Sequence, residues 1–166
     1  MKTKVLKRIF LLSFALIPIL LSGCGHKKEE QETRVLFSWK KSAILKERTN
    51  LFSIMKEIGL NTLYQYVSED IDDDSVIKFL EESEKDQVAI YLLSGEPSWV
   101  LEDDGESFLT PIDQVISLNQ KLEKKQAIKG VVYDVEPYLL QEWDTSEYHN
   151  IMKNYVNAMQ TVYEQL

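Results

Sequence analysis

Four short β-rich runs alternate with amphipathic helical patterns from Val35 to the end of the chain. Strands that alternate with helices indicate βα units, in which each helix carries the chain back so that the next strand lies parallel to the last. The alternation therefore predicts an α/β domain built on a parallel sheet. The predicted strands are 35–39, 60–67, 88–93 and 131–136, and the predicted helices are 42–58, 75–84, 110–125 and 145–166.

Four βα units are about half of a closed (β/α)8 barrel, which typically needs about 250 residues. Three arrangements fit this pattern: a truncated half barrel, a half barrel that pairs with another half, and a small open α/β sheet. We favour the truncated half barrel, because an open four-stranded sheet exposes long edge strands that complete proteins usually cover. The prediction is thus a partial (β/α)8 TIM barrel over residues 34–166.

The chain begins with the features of an export signal. Four basic residues precede a largely apolar stretch from Ile9 to Leu21, which ends in Leu21-Ser22-Gly23-Cys24. This tetrapeptide resembles a bacterial lipobox, and the resemblance implies that residues 1–23 are removed as a signal peptide and that Cys24 receives a diacylglycerol. The apolar stretch is shorter than the roughly 20 residues of a transmembrane helix. We therefore expect a lipid-anchored lipoprotein on the extracytoplasmic side of the cell membrane.

Charge and composition restrict the partners of the processed chain. Four of the 19 basic residues lie in the signal peptide, which leaves 15 against 27 acidic residues, a net charge of −12. Such a surface repels phosphate backbones and anionic lipid headgroups, so we expect no nucleic-acid partner and membrane contact through the lipid anchor. The polar segment 24–33 is predicted to be the lipidated cysteine and a flexible tether. The sequence contains no cofactor-binding motif, so we predict that the protein uses no cofactor.

Two carboxylates end the fourth predicted strand, in the segment Tyr133-Asp134-Val135-Glu136-Pro137-Tyr138. Side chains alternate along a strand, so Asp134 and Glu136 are expected on one face. They also stand at the carboxyl end of the strand, where parallel α/β folds place their active sites. Crowded like charges can keep one carboxylic acid protonated for catalysis. An ion pair with a distant partner and a solvated strand end explain the same residues.

The region from Val35 to the last helix is similar to the amino-terminal half of glycoside-hydrolase-like TIM barrels, which include bacterial lipoproteins with a strand that ends Asp-Ile/Val-Glu-Pro-Tyr. Members of that clan often carry their general acid in Asn-Glu-Pro at the end of strand four, a position that falls on Glu136-Pro137 here. The resemblance implies that Glu136 is the acid and Asp134 its partner. A retaining mechanism needs a second carboxylate about 5 to 5.5 Å away. In those barrels it comes from strand seven, so we expect the four units alone to be inactive.

Aromatic residues lie in or after each predicted strand, where flat rings with polar edges could stack on sugar faces. Packing at the rim of a barrel explains any single one of them, whereas their joint placement favours a groove that binds carbohydrate. A noncatalytic binder of glycan or protein, or an inactive fragment of a longer protein, is the alternative to a hydrolase. The predicted substrate-binding residues are Trp39, Tyr64, Tyr66, Glu96, Trp99, Tyr138 and Trp143.

The acidic segment from Asp70 to Glu81 also matches part of a calcium-binding loop. Ser75 occupies the position of the glycine that such a loop requires, and an acidic loop that leads into a helix explains the same residues. We therefore predict no metal site.

Overall fold

Four parallel strands in the order β1-β2-β3-β4 form the centre of the domain in a computed structural model, which describes residues 32–122 and 128–165. Each strand pairs with the next one along the chain, as successive βα units require. The predicted α/β class with a parallel sheet is confirmed. The predicted signal peptide, Cys24 and almost all of the tether lie outside the described residues. The strands are β1 (Val35–Ser38), β2 (Thr62–Tyr66), β3 (Ala89–Ser94) and β4 (Val131–Tyr133).

Helices connect the strands and follow the last one. Among the described residues the α-helices are α1 (Ser42–Leu45), α2 (Arg48–Glu57), α3 (Asp73–Lys85), α4 (Glu106–Lys121) and α5 (Tyr148–Glu164). Short 3-10 helices cover Pro97–Leu101, Pro137–Leu139 and Gln141–Asp144. None of these described helices has the length and apolar character that crossing a bilayer requires.

The single helix predicted over 42–58 is wrong, because the structure has two helices there, α1 and α2, separated by Lys46 and Glu47. Lys46 leaves the helical conformation with a φ of −132°. The backbone N–H groups of Lys46 and Glu47 both donate to the carbonyl of Ser42, at 2.9 Å each, and these bonds close α1. The apolar periodicity continues across residues 46 and 47, so the sequence pattern did not indicate that the helix is interrupted there.

The acidic residues before α3 act as a cap and as ion-pair partners. The side chain of Asp72 accepts a hydrogen bond from the backbone N–H of Ser75 at 2.9 Å, and acidic residues in the first turn favour the positive end of the helix dipole. Asp70 pairs with Lys41 at 2.6 Å. Within residues 32–122 and 128–165, no three potential metal-ligating side chains lie close enough to hold an ion.

The predicted start of α4 at Thr110 is wrong, since the helix begins at Glu106. Gly105 precedes it in the left-handed conformation, with a φ of 67°. The carboxylate of Glu102 accepts hydrogen bonds from the backbone N–H and the hydroxyl of Ser107, at 3.1 and 2.6 Å. This cap satisfies a backbone N–H group of the first helical turn, so the helix begins four residues before the predicted start. Pro111 consequently lies inside the helix.

Two further boundaries differ from prediction around the end of β4. The strand ends at Tyr133, although the backbone N–H of Asp134 still donates to the carbonyl of Ser94 at 2.9 Å. The predicted start of the last helix at residue 145 is also wrong, because the hydroxyl of Thr145 accepts a hydrogen bond from the Glu147 N–H, at 3.2 Å, ahead of the helix. α5 accordingly begins at Tyr148.

The helices pack on one face of the sheet through two apolar clusters. The first joins β2 and β3 to α1–α4 and includes Phe52 and Phe79, which are fully buried and lie 5.1 Å apart between ring centroids. The second joins α4 and α5 to the end of β4 around Phe108. Strand alternation places Phe37, Tyr64 and Tyr91 on the opposite face. We call that opposite face the open face.

Candidate functional site

The carboxyl ends of the four strands meet at one edge of the sheet, which we call the C-terminal edge. Ligand sites of parallel α/β folds lie at this edge, because the loops that follow the strands converge there. The structure brings seven of the predicted site residues to it and places the other two elsewhere. The seven are Trp39 after β1, Tyr66 at the end of β2, Glu96 and Trp99 after β3, and Asp134, Glu136 and Tyr138 after β4.

Gly95 determines where the backbone of Asp134 lies. A Cβ atom on Gly95 would stand 2.5 Å from both the carbonyl carbon and the carbonyl oxygen of Asp134, a distance that real Cβ atoms do not adopt. The φ of Gly95 is 156°, which also favours glycine. Two strand ends can therefore approach each other closely only because residue 95 has no side chain. Gly95 was not among the predicted site residues, although a glycine directly after a predicted strand is a visible signal.

Glu136 and Tyr138 form a hydrogen-bonded pair, in which the Tyr138 hydroxyl donates to Oε1 of Glu136. The pKa of Tyr138 is raised, first by this hydrogen bond, then by partial burial and by the negative charges of Glu136 and Asp134. The pairing makes Oε1 of Glu136 an acceptor and leaves Oε2 for another partner.

The apolar side of the same segment anchors it to the helices. Tyr133 and Val135 belong to the cluster around Phe108, and the Tyr133 hydroxyl donates to the Phe108 carbonyl at 2.6 Å. Because side chains alternate along extended backbone, this anchoring directs Asp134 and Glu136 to the other side.

Aromatic rings occupy the β1–β2 part of the C-terminal edge. The rings of Trp39 and Tyr66 lie 5.4 Å apart between centroids at an interplanar angle of 36°, and Trp39 is 42% exposed. The buried side chain of Gln65 holds the preceding loop, since its amide donates to the carbonyl of Lys40 at 3.1 Å. Gln65 was also missed by the sequence analysis, although a polar residue between apolar strand positions was a visible signal.

A small cavity of about 130 Å³ lies between the ends of β2 and β3 and the first half of α4. Tyr66, Glu96 and Trp99 are among the residues that line it. The Trp99 ring also packs edge-on against Phe108, 5.4 Å away, so part of its surface belongs to the core. Two larger cavities of about 500 Å³ lie beside α5 and contain none of the predicted site residues.

The structure places Tyr64 within the sheet and packs Trp143 against the start of α5. Tyr64 lies in the middle of β2 on the open face, with its ring between those of Phe37 and Tyr91. Trp143 packs against Tyr148, 4.7 Å away, as part of the cluster around Phe108. Cys24, the predicted lipidation site, lies outside the described residues.

The stability of the domain is expected to fall between about pH 10 and pH 12 because of Tyr133. Burial raises the pKa of Tyr133 from its ordinary value of 10.0 to about 12. The folded state therefore holds this proton more tightly than the unfolded state, so the stabilisation is complete below pH 10 and is lost as the pH rises. The loss should reach about 1 kcal/mol at pH 11.

Urea unfolding of the full chain near pH 9 and near pH 11 measures this loss. The matched control is Tyr133→Phe, which keeps the ring but cannot ionise, and its free energy of unfolding should fall less between the two pH values. Equal pH dependence of the two proteins would contradict the prediction.

Comparisons with known proteins found no matching family model, no matching curated protein and no matching solved structure. The function is therefore inferred from the residues of the site.

Proposed function

We propose that this chain is a lipid-anchored extracytoplasmic protein whose domain, a partial TIM barrel of the glycoside-hydrolase type, binds carbohydrate at the C-terminal edge. The main support is the group of Asp134, Glu136 and Tyr138, which shares that edge with the exposed ring of Trp39. Sugars present both apolar ring faces and hydroxyl groups, so a site for them combines aromatic rings with carboxylates.

The size of the edge favours an extended glycan over a single sugar. The cavity beside Tyr66 and Glu96 has a volume of about 130 Å³. Typical pockets for small ligands begin at roughly 300 Å³. A ligand therefore lies mainly along the open edge from β1 to β4, which spans three strand spacings or about 14 Å. Trp39 at one end supplies a stacking surface, and Oε2 of Glu136 at the other accepts a hydroxyl.

Hydrolysis is the second candidate function, because one strand end carries two carboxylates, those of Asp134 and Glu136. A retaining hydrolase needs carboxylates on both sides of the scissile bond, whereas these two approach a sugar from one side. The hydrogen bond from Tyr138 also makes Glu136 an acceptor, which suits a base or nucleophile better than an acid. Binding without turnover is therefore the first candidate.

Replacing Glu136 with glutamine is expected to separate the two functions. The substitution keeps the size of the side chain and removes its charge. A hydrolase should lose turnover by about a hundredfold or more while it keeps most of its affinity, because proton transfer contributes at least that much to catalysis. The full chain in non-ionic detergent would be tested with cello-, chito-, xylo- and malto-oligosaccharides, with titration calorimetry for binding and release of reducing ends for hydrolysis.

Two tryptophans supply a matched pair for the binding site itself. Trp39→Ala should weaken oligosaccharide binding by about tenfold or more, since it removes the stacking surface. Trp143→Phe keeps an aromatic ring in the cluster around Phe108 and should leave the affinity unchanged. Equal affinities of the two variants, or no binding of any of the four probes by the wild-type chain, would overturn the proposal.

A further inference from the structure

The open face carries a row of aromatic side chains at matching positions of three strands. Phe37, Tyr64 and Tyr91 are direct neighbours in the strand register, and Phe37 is 54% exposed. Successive rings meet edge to face, at interplanar angles of 75° and 74°. Rings arranged in this way do not form a flat platform for sugars, whereas they are typical of a packed apolar layer.

Both outer strands of the sheet have an unpaired edge in the part of the chain that the structure describes. β1 pairs only with β2, and β4 pairs only with β3. Because all four strands are parallel, the edge of β1 and the edge of β4 run in the same direction. Unpaired backbone groups on an edge strand are a ready template for pairing with another strand.

The residues at the ends of these two strands carry opposite charges. β1 is followed by Lys40, which is exposed, and β4 is followed by Asp134 and Glu136. At the other ends, the charge of Arg34 before β1 is offset by its ion pair with Glu32 at 3.0 Å. An edge of β1 placed beside an edge of β4 therefore aligns complementary charges at the carboxyl ends of the two strands.

We propose that a second copy of this chain covers the open face, with β1 of each copy paired to β4 of the other. A two-fold axis that runs parallel to the strands in front of the open face keeps all eight strands parallel and joins both pairs of edges, so the two copies form one closed (β/α)8 barrel. The aromatic row becomes part of the barrel interior, and no strand edge remains. Such a contact is isologous and closed, which limits the assembly to two copies.

This assembly is independent of carbohydrate binding, but it changes the C-terminal edge. The edge becomes a ring in which Trp39 and Lys40 of one copy stand beside Asp134 of the other. Each site then contains residues from both copies.

Sedimentation equilibrium of the full chain in density-matched non-ionic detergent tests the proposal. The wild-type chain should sediment as two copies from micromolar concentration upward. Phe37→Asp should raise the dissociation constant by at least about tenfold, because it places a charge inside the barrel, while its exposure in the single copy lets the monomer fold. The matched control is Ile116→Asp on the outer surface of α4, where the residue is 48% exposed, and it should remain a dimer.

A charge reversal where β1 of one copy meets β4 of the other supplies a second test. Lys40→Glu should weaken the dimer, and the added change Asp134→Lys should restore it. The proposal is overturned by a wild-type chain that stays single, by a dimer that Phe37→Asp leaves intact, or by particles that grow beyond two copies with concentration. The last result would mean open edge-to-edge pairing.

Discussion

Replacing Phe108 with alanine is expected to lower the free energy of unfolding by about 3 to 5 kcal/mol. Phe108 is fully buried, and its ring centroid lies 5.4 Å from that of Trp99, 5.8 Å from that of Tyr133 and 5.9 Å from that of Tyr155. One side chain thus joins α4, α5, the segment after β3 and the end of β4. Alanine leaves a cavity at the meeting point of four elements, and each of them loses packing contacts.

Urea unfolding of the full chain measures this effect. Phe108→Leu fills much of the same volume and should cost less, about 1 to 2 kcal/mol. Ile116→Ala lies on the exposed side of the same helix and should change the free energy by about 0.5 kcal/mol or less. A loss below about 1 kcal/mol for Phe108→Ala would show that the cluster around Phe108 does not hold the domain together.

The position of the cluster links this stability to the site. Tyr133 donates its hydroxyl to the Phe108 carbonyl, and Asp134 is the next residue along the chain. A change that loosens Phe108 should therefore also loosen the carboxylate group at the C-terminal edge. Oligosaccharide affinity of Phe108→Ala should fall even at temperatures where the variant is folded.

Replacing Gly95 with alanine is expected to destabilise the domain by about 1 to 3 kcal/mol. The new methyl group would stand 2.5 Å from the carbonyl atoms of Asp134. Backbone cannot turn aside as the end of a long side chain can, so β3 and the segment after β4 must separate. The hydrogen bond from the Asp134 N–H to the Ser94 carbonyl, now 2.9 Å long, should weaken as they do.

Gly130→Ala is the matched control for this prediction. A Cβ atom on Gly130 would meet the Tyr91 ring at 3.7 Å, which is ordinary van der Waals contact. Its φ is not positive, so alanine there should be neutral or should add up to about 1 kcal/mol of stability through the unfolded chain. Urea unfolding measures the stability of both variants, and titration with oligosaccharide measures their affinity. If Gly95→Ala resembles Gly130→Ala in both measurements, then Gly95 does not fix the position of Asp134.

Several features of the fold could be predicted because they depend on neighbours along the chain. The alternation of β-rich runs with helical patterns indicated a parallel sheet, and the acidic residues before α3 indicated a helix start that Asp72 caps. The start of α4 could not be predicted in this way. Thr110-Pro111 is a good local signal for the start of a helix. The helix nevertheless begins at Glu106, because the Glu102 carboxylate caps its first turn and Gly105 adopts the left-handed conformation just before it.

The candidate site could also be predicted only in part. The sequence indicated which strand ends carry carboxylates and aromatic rings, since parallel strands bring their carboxyl ends to one edge. It could not show that Tyr64 faces the open side of the sheet, or that Trp143 packs with α5. Those outcomes depend on where strand and helix boundaries fall, which a single chain leaves uncertain by a few residues.

The sequence by itself determined the types and order of the elements, because apolar periodicity and turn chemistry are local properties of the chain. Only the tertiary structure decided how these elements position single side chains. Gly95 contacts Asp134, Gln65 holds the loop at Lys40, and Phe108 receives the Tyr133 hydroxyl. Each of these contacts joins residues on different elements, so its geometry depends on how the strands and helices pack.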